Sequence, residues 1–227
     1  MMKNTAKFLL FTSLLFAFTS CTFDGPAGPE GSALIEASFQ NGPYPAGYSG
    51  CTAVSIGDGL IENSNFSSST AIITGYQASP SIKHRSLVKF DIYNTLPAGA
   101  KIKKAFLELF ITDNAGVVSF NAVCHDAASD WLASEATWIK STAVTNWAQP
   151  GGDLGQASDT VALNQQSGRV VFELNAASVQ SWLDPLAENR GVIIKSSAES
   201  GSSDNYMVFG SSITGSGPKL TLYYTLE

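Results

Sequence analysis

Chemistry in this chain could rest on two histidines, a scatter of carboxylates, three cysteines and the aromatic rings of its loops. His84 stands between Lys83 and Arg85, and His125 is followed by Asp126, a pair that could form half of an acid–base dyad. Neighbours on a strand point to opposite faces, so a hydrogen-bonded histidine at a strand end is the stronger reading. Asp126, Asp130, Glu135, Asp153 and Asp159 are of the type that flanks a sugar bond in glycoside hydrolysis, but no spacing selects a pair. There is no GxSxG turn, and the 210–217 stretch (GSSITGSG) lacks the Lys-Ser/Thr end of a phosphate loop. The expectation is a protein that is not an enzyme.

Binding chemistry is easier to place. A sugar wants a flat apolar ring with polar neighbours. Trp147, in the polar run TNWAQPGGD, is the first candidate platform and Tyr206 the second, while Trp138 and Trp182 are assigned to the core. Arg85, Arg190 and Lys89 are candidates for the carboxylates of an acidic glycan, with a surface charge or a structural salt bridge as the competing reading of each. Lys101, Lys103 and Lys104 read as a solvated strand edge. Asp58, Glu62 and Asn63 offer oxygens for a structural calcium, as do Glu199, Asp204 and Asn205. An ordinary polar loop is the alternative at both places. Cys51 and Cys124 form either a disulfide or two unpaired thiols.

Three arginines and a formal charge of −6 exclude a nucleic-acid partner, which needs clustered cations. Residues 1–20 carry Lys3 and Lys7, then an apolar run from Phe8 to Phe18 that is too short for an ordinary transmembrane helix. Ala17-Phe18-Thr19-Ser20-Cys21 resembles a bacterial lipobox, with Phe18 in place of the usual aliphatic residue. Lipidation of Cys21 after removal of the signal would leave a charge of −8, with the two lysines gone, and hold the chain at an outer-membrane or cell surface. A plain secretory signal is the alternative.

These side chains need a scaffold. Residues 21–50 are rich in Gly and Pro and read as a tether. From residue 51 the pattern is strand and turn. Period-two alternation marks 85–93, where Val88, Phe90 and Ile92 oppose Lys89 and Asp91, and 102–112, where Ala105, Leu107, Leu109 and Ile111 share a face. Further strands fall at 70–76, 117–124, 169–174, 191–196, 206–210 and 219–225. Asn175 caps a short helix through Asp184, with Val179, Trp182 and Leu183 on one stripe. Residues 125–167 carry three of the four tryptophans and read as one long connection with a short helix at 134–137. The sum is an all-β fold, an antiparallel β-sandwich of jelly-roll type over 51–227, with one short helix and a long Trp-containing loop.

The order RSLVKFDI, NTLPAGAKIKKAFLELFI, Trp131 and EATW, VQSWL, ENRGVIIKSS and GPKLTLYYT resembles the DNRLRE-domain family, the disaggregatase-related carbohydrate-binding modules, over about residues 54–226. The resemblance implies a β-sandwich found beside polysaccharide-degrading domains and in surface proteins, some of whose members are reported to bind anionic polysaccharides such as alginate. It transfers no catalytic residue. The expectation is a lipid-anchored surface module for an acidic or plant/algal-type polysaccharide. The alternatives are a structural or adhesive protein with surface protein partners and, behind both, a glycan-active enzyme.

Overall fold

Alternating apolar residues dominate the chain, and the computed structural model, which describes residues 33–114 and 119–226, is correspondingly all-β. The strands are β1 (Ile35–Phe39), β2 (Cys51–Gly57), β3 (Ala71–Gln77), β4 (Ile82–Phe90), β5 (Ala100–Asn114), β6 (Phe120–Ala127), β7 (Leu154–Leu163), β8 (Gly168–Leu174), β9 (Val192–Ser196), β10 (Asn205–Gly210) and β11 (Lys219–Leu226). One helix, α1 (Ala176–Ser181), follows β8. All pairings are antiparallel, in the order β1-β11-β5-β10-β3-β4-β9-β6-β7, with β2 also on β4 and β8 also on β5. The sheet curls on itself into a sandwich-like fold.

β4 is the joint of this arrangement. One edge pairs with β2 along 84–90, while the other meets β3 at 82–84 and then β9 at 86–88. Its Val88 and Phe90 turn into the main core, where they join Leu107 and Leu109 of β5, Phe172 of β8 and Phe209 of β10. The helix starts where the sequence places it: the Asn175 side chain accepts from the backbone N–H of Ala177 and Ser178, satisfying two donors of the first turn. Gln180 of α1 accepts from the Ile102 N–H and donates to the Ala100 carbonyl, docking the helix on the start of β5.

Three expectations are corrected. The tether does not extend to residue 50. Residues 35–39 form β1, which pairs with β11 from Ile35↔Tyr224 to Phe39↔Leu220, and Phe39 is buried. Asn41 then clamps the chain, bonding both the N–H and the carbonyl of Cys51 and the carbonyl of Ser212. The 125–167 connection is shorter than expected, because residues 154–163 form β7 on the edge of β6. Its expected helix at 134–137 is a single turn, closed by N–H bonds from Glu135 and Ala136 to the Leu132 carbonyl. The signal at 1–20, Cys21 and the tether as far as residue 32 lie outside the described residues, as does part of the turn at 113–116.

The third correction concerns the cysteines. Cys51 and Cys124 are both buried free thiols, not a disulfide. The reason lies in the strand order: β2 and β6 are separated by β4 and β9, three inter-strand steps or about 14 Å. That is well beyond the Cα separation a disulfide spans. Burial also pushes both thiols far above their ordinary pKa, so neither offers a thiolate. Iodoacetamide is therefore expected to leave both unmodified in the native protein and to alkylate both after unfolding without reductant. A Cys51–Cys124 crosslinked peptide in the mass spectrum would contradict the fold.

Candidate functional site

Period two puts Lys83, Arg85, Leu87 and Lys89 of β4 on the face opposite its main-core residues. Beside them on that face lie Ile56, Val54 and Thr52, opposite Arg85, Leu87 and Lys89, and Ile193, opposite Leu87. A sheet face carrying Val54, Ile56, Leu87 and Ile193 must be covered. The segment between β6 and β7 covers it. Trp131, Trp138 and Trp147, with Ala136, pack on these four residues as a second core.

Local chemistry holds this cover in place. The Trp131 indole N–H donates to the Arg190 carbonyl at 2.7 Å, and that of Trp147 to the Thr137 carbonyl at 2.9 Å, so neither buried donor is orphaned. The Arg85 guanidinium lies 4.8 Å from the Trp138 ring centre and the Lys89 ammonium 4.9 Å from that of Trp131. Each such cation–π contact is worth about 0.5–2 kcal/mol. Gly151 and Gly152 both have φ near +97°, where a side chain is strained. A Cβ on Gly151 would stand 2.7 Å from the Trp138 ring and 2.9 Å from the Arg85 Nη1. Asp153 closes the loop, its carboxylate accepting from the Ser129 hydroxyl and from the N–H groups of Ala148 and Gln149. Burial works against that charge, but the three hydrogen bonds outweigh it and hold the Asp153 carboxyl below the usual value.

This architecture redistributes the sequence candidates. Trp147 is 4% exposed and presents no platform. Arg85 is structural: its Nε and Nη2 take the two oxygens of Glu199 at 2.8 Å each, its Nη1 bonds the Gly151 carbonyl, and Lys195 adds a second cation to Glu199. Arg190 pairs with Glu188 at the surface. Tyr206 is half-buried on β10, its ring 6.3 Å from that of His84. The calcium group does not assemble around Asp58, whose oxygens accept from the Lys83 N–H at 2.5 Å and pair with the Lys83 ammonium at 2.9 Å. Glu62 and Asn63 are exposed. Among the described residues no three His, Cys, Asp or Glu side chains gather as a metal-holding group.

Lys89 is different. It walls two depressions, one of about 260 Å³ with Gly50, Thr52, Asp91 and Asn189, the other of about 320 Å³ with Asp130, Trp131, Leu132 and Thr142. Its ammonium donates to the Trp131 backbone carbonyl at 3.3 Å, which ties it to the same residue whose indole N–H donates to the Arg190 carbonyl. Burial lowers the Lys89 pKa, and the charges of Asp130 and Asp91 oppose that shift. The arrangement is a groove of mixed polar and apolar lining with one ammonium between two carboxylates, suited to exchanging hydrogen bonds with hydroxyls. Period-two alternation in the sequence already puts Lys89 and Asp91 together on the polar side of the strand. It gives no signal for Asn189 or Thr142, which arrive from separate turns. No family model matches this chain, and no curated protein matches it. Among the described residues no helix is long and apolar enough to cross a membrane.

Two outcomes follow from the loop's anchoring. Gly151→Ala should lower stability by about 1–3 kcal/mol in a denaturant titration, because a strained φ and a steric clash add. An unchanged midpoint would place the loop elsewhere. A carboxylate with a depressed pKa stabilises the fold above its unfolded value, about 4, and that contribution is lost as pH falls through the folded value. Asp153→Asn should therefore be destabilised at pH 7, with the gap to the wild type narrowing below about pH 4. A gap that stays constant down to pH 2 would show that the charge is not what matters.

Proposed function

We propose that this chain is a lipid-anchored surface module that holds a hydroxyl-rich polysaccharide in the groove on either side of Lys89. The observation that carries the reading is the groove itself: two adjoining depressions, with an ammonium, two carboxylates and hydroxyls converging on their walls. Pyranose hydroxyls both donate and accept, so they match a mixed set of donors and acceptors better than a single charge would. Tyr93, two residues beyond Asp91 and 44% exposed, is the open aromatic ring of the same segment. The resemblance of residues 54–226 to DNRLRE modules supports the same class of role.

The charges favour a neutral glycan over an acidic one. An acidic chain was expected to engage Arg85 and Arg190, but Glu199 and Glu188 already pair with them. In the groove two carboxylates face one ammonium, a balance that repels a polyanion. Holding rather than cutting is the role this supports. The anchor at Cys21 belongs to the same proposal: it would keep the module at an exported membrane surface, outer-membrane or cell-surface, where polysaccharide is met.

A protein partner is the second reading, and a specific surface favours it. Phe106 and Phe110 of β5, Val171 of β8 and Tyr223 of β11 lie on the sheet face opposite Leu107 and Leu109, with Val171 45% exposed and the Phe106 and Tyr223 rings in edge contact at 6.1 Å. Glu108 crosses this face, bonded to Lys219 and Arg169.

Affinity electrophoresis separates the readings. The full chain, run through gels containing neutral or acidic polysaccharides, should be retarded by a neutral one, and Lys89→Ala or Tyr93→Ala should weaken that retardation about ten-fold, a loss of about 1.4 kcal/mol. Tyr206→Ala should leave it unchanged. Retardation by no polysaccharide, or by acidic ones alone and independently of Lys89, would overturn the proposal and leave the β5–β11 face as the stronger site.

A further inference from the structure

Another depression lies near the opposite end of β4, about 16 Å along the strand from Lys89. It sits where β2, β3 and β4 converge and measures about 200 Å³. Its walls are apolar: Ile61 from the turn after β2, Phe66 from the following loop, Ile73 of β3 and Ile82 of β4. Four polar residues also line it, Ser55, Ser69, Gln77 and His84; the Ser69 hydroxyl is taken by the backbone of Ala71 and the Gln77 amide donates to the Ser79 carbonyl.

His84 is the unusual member. It is only 7% exposed, and neither ring nitrogen makes a hydrogen bond to another described residue. Its ring nitrogens are not among the fully buried atoms without a partner, so they stay open to the depression that His84 lines. The Tyr206 ring, 6.3 Å away, is not a partner, and the Asp58 carboxylate is taken by Lys83. Burial lowers the His84 pKa, with the charge of Asp58 in opposition, so the ring is neutral at pH 7. A neutral imidazole presents one donor and one acceptor. The Ser55 oxygen accepts from the Ile73 N–H at 2.6 Å, which leaves its own proton to donate.

Size, polarity and charge together narrow the ligand. A dry cavity of about 150 Å³ lined by Leu, Ile and Phe accepts benzene, so this volume admits a single ring with a small substituent. Among the described residues that line it there is no Lys or Arg to meet an anion, and the nearby Lys83 ammonium is paired with Asp58 at 2.9 Å. A hydroxyl, both donor and acceptor, is the group that fits a neutral imidazole beside a serine.

We infer that the pocket between β2, β3 and β4 is a second binding site, for a small neutral one-ring phenol whose ring lies among Ile61, Phe66, Ile73 and Ile82 and whose hydroxyl pairs with His84. The site is independent of the Lys89 groove. A phenolic group could reach it free in solution or as a substituent on a larger molecule, and the shared chemistry is the ring and its hydroxyl.

The test uses the imidazole signals of the full chain, which holds just two histidines, so His125 serves as the internal control. Phenol titrated into the protein should shift the His84 resonances saturably at millimolar concentration and leave those of His125 in place. Benzene should bind about ten-fold more weakly, and His84→Phe should bring phenol down to the level of benzene. Phe66→Ala, at a half-exposed rim position, gives a second variant should His84→Phe fold poorly, and it should weaken phenol several-fold. His84 signals that stay fixed at tens of millimolar phenol would overturn the site. Equal affinity for phenol and benzene, or wild-type affinity in either variant, would overturn the assignment of ring and hydroxyl.

Discussion

The whole arrangement depends on one constraint: the sheet around β4 carries apolar residues to bury on both of its faces. Val88 and Phe90 enter the main core, while Leu87, with Val54, Ile56 and Ile193 beside it, needs cover on the other side. The chain meets that need with a loop instead of a helix. Three indoles supply the area, and the cations of β4 seat them, Arg85 under Trp138 and Lys89 under Trp131. Burying cations in a sheet face is costly unless each is paired. Arg85 is paired by Glu199 and by the Gly151 carbonyl, whereas Lys89 is only partly paired and faces the groove.

That division explains why the functional residues sit where they do. At one end of the covered face the charges close on each other, Arg85 and Lys195 on Glu199, and the surface there is structural. At the other end the cover stops at Trp131, and Lys89 is left between depressions with carboxylates for neighbours. The groove is thus the margin of the second core. Its indole is rigid because it is buried, and its polar groups are accessible because the loop reaches no further.

Much of the scaffold was legible in the sequence, because period-two alternation is written wherever one face is wet. The strands β4 and β5 and the Asn175 cap are of that kind. β7 was not legible: in LGQASDTVAL only Val161 and Leu163 are large apolar residues that pack inward, and pairing with β6 holds the rest. β1 was hidden by its Gly- and Pro-rich surroundings, although Phe39 anchors it. The candidate site was less legible. Trp147 was read as open from polar neighbours in sequence, but its indole turns inward to the Thr137 carbonyl. Charge pairs across large separations, such as Arg85 with Glu199, leave no local pattern. Lys89 was found because it stands on the polar side of an alternating strand.

The central claim is that the 128–153 loop is a packed second core and not a surface loop. Native-state hydrogen exchange tests it most directly. The N–H groups of Trp138, Trp147 and Gly151 donate to the carbonyls of Glu62, Ile139 and Trp138. If the loop opens only with the sheet beneath it, these amides exchange as slowly as those of β4. Exchange at the rate of an exposed loop, while β4 stays protected, would contradict the account.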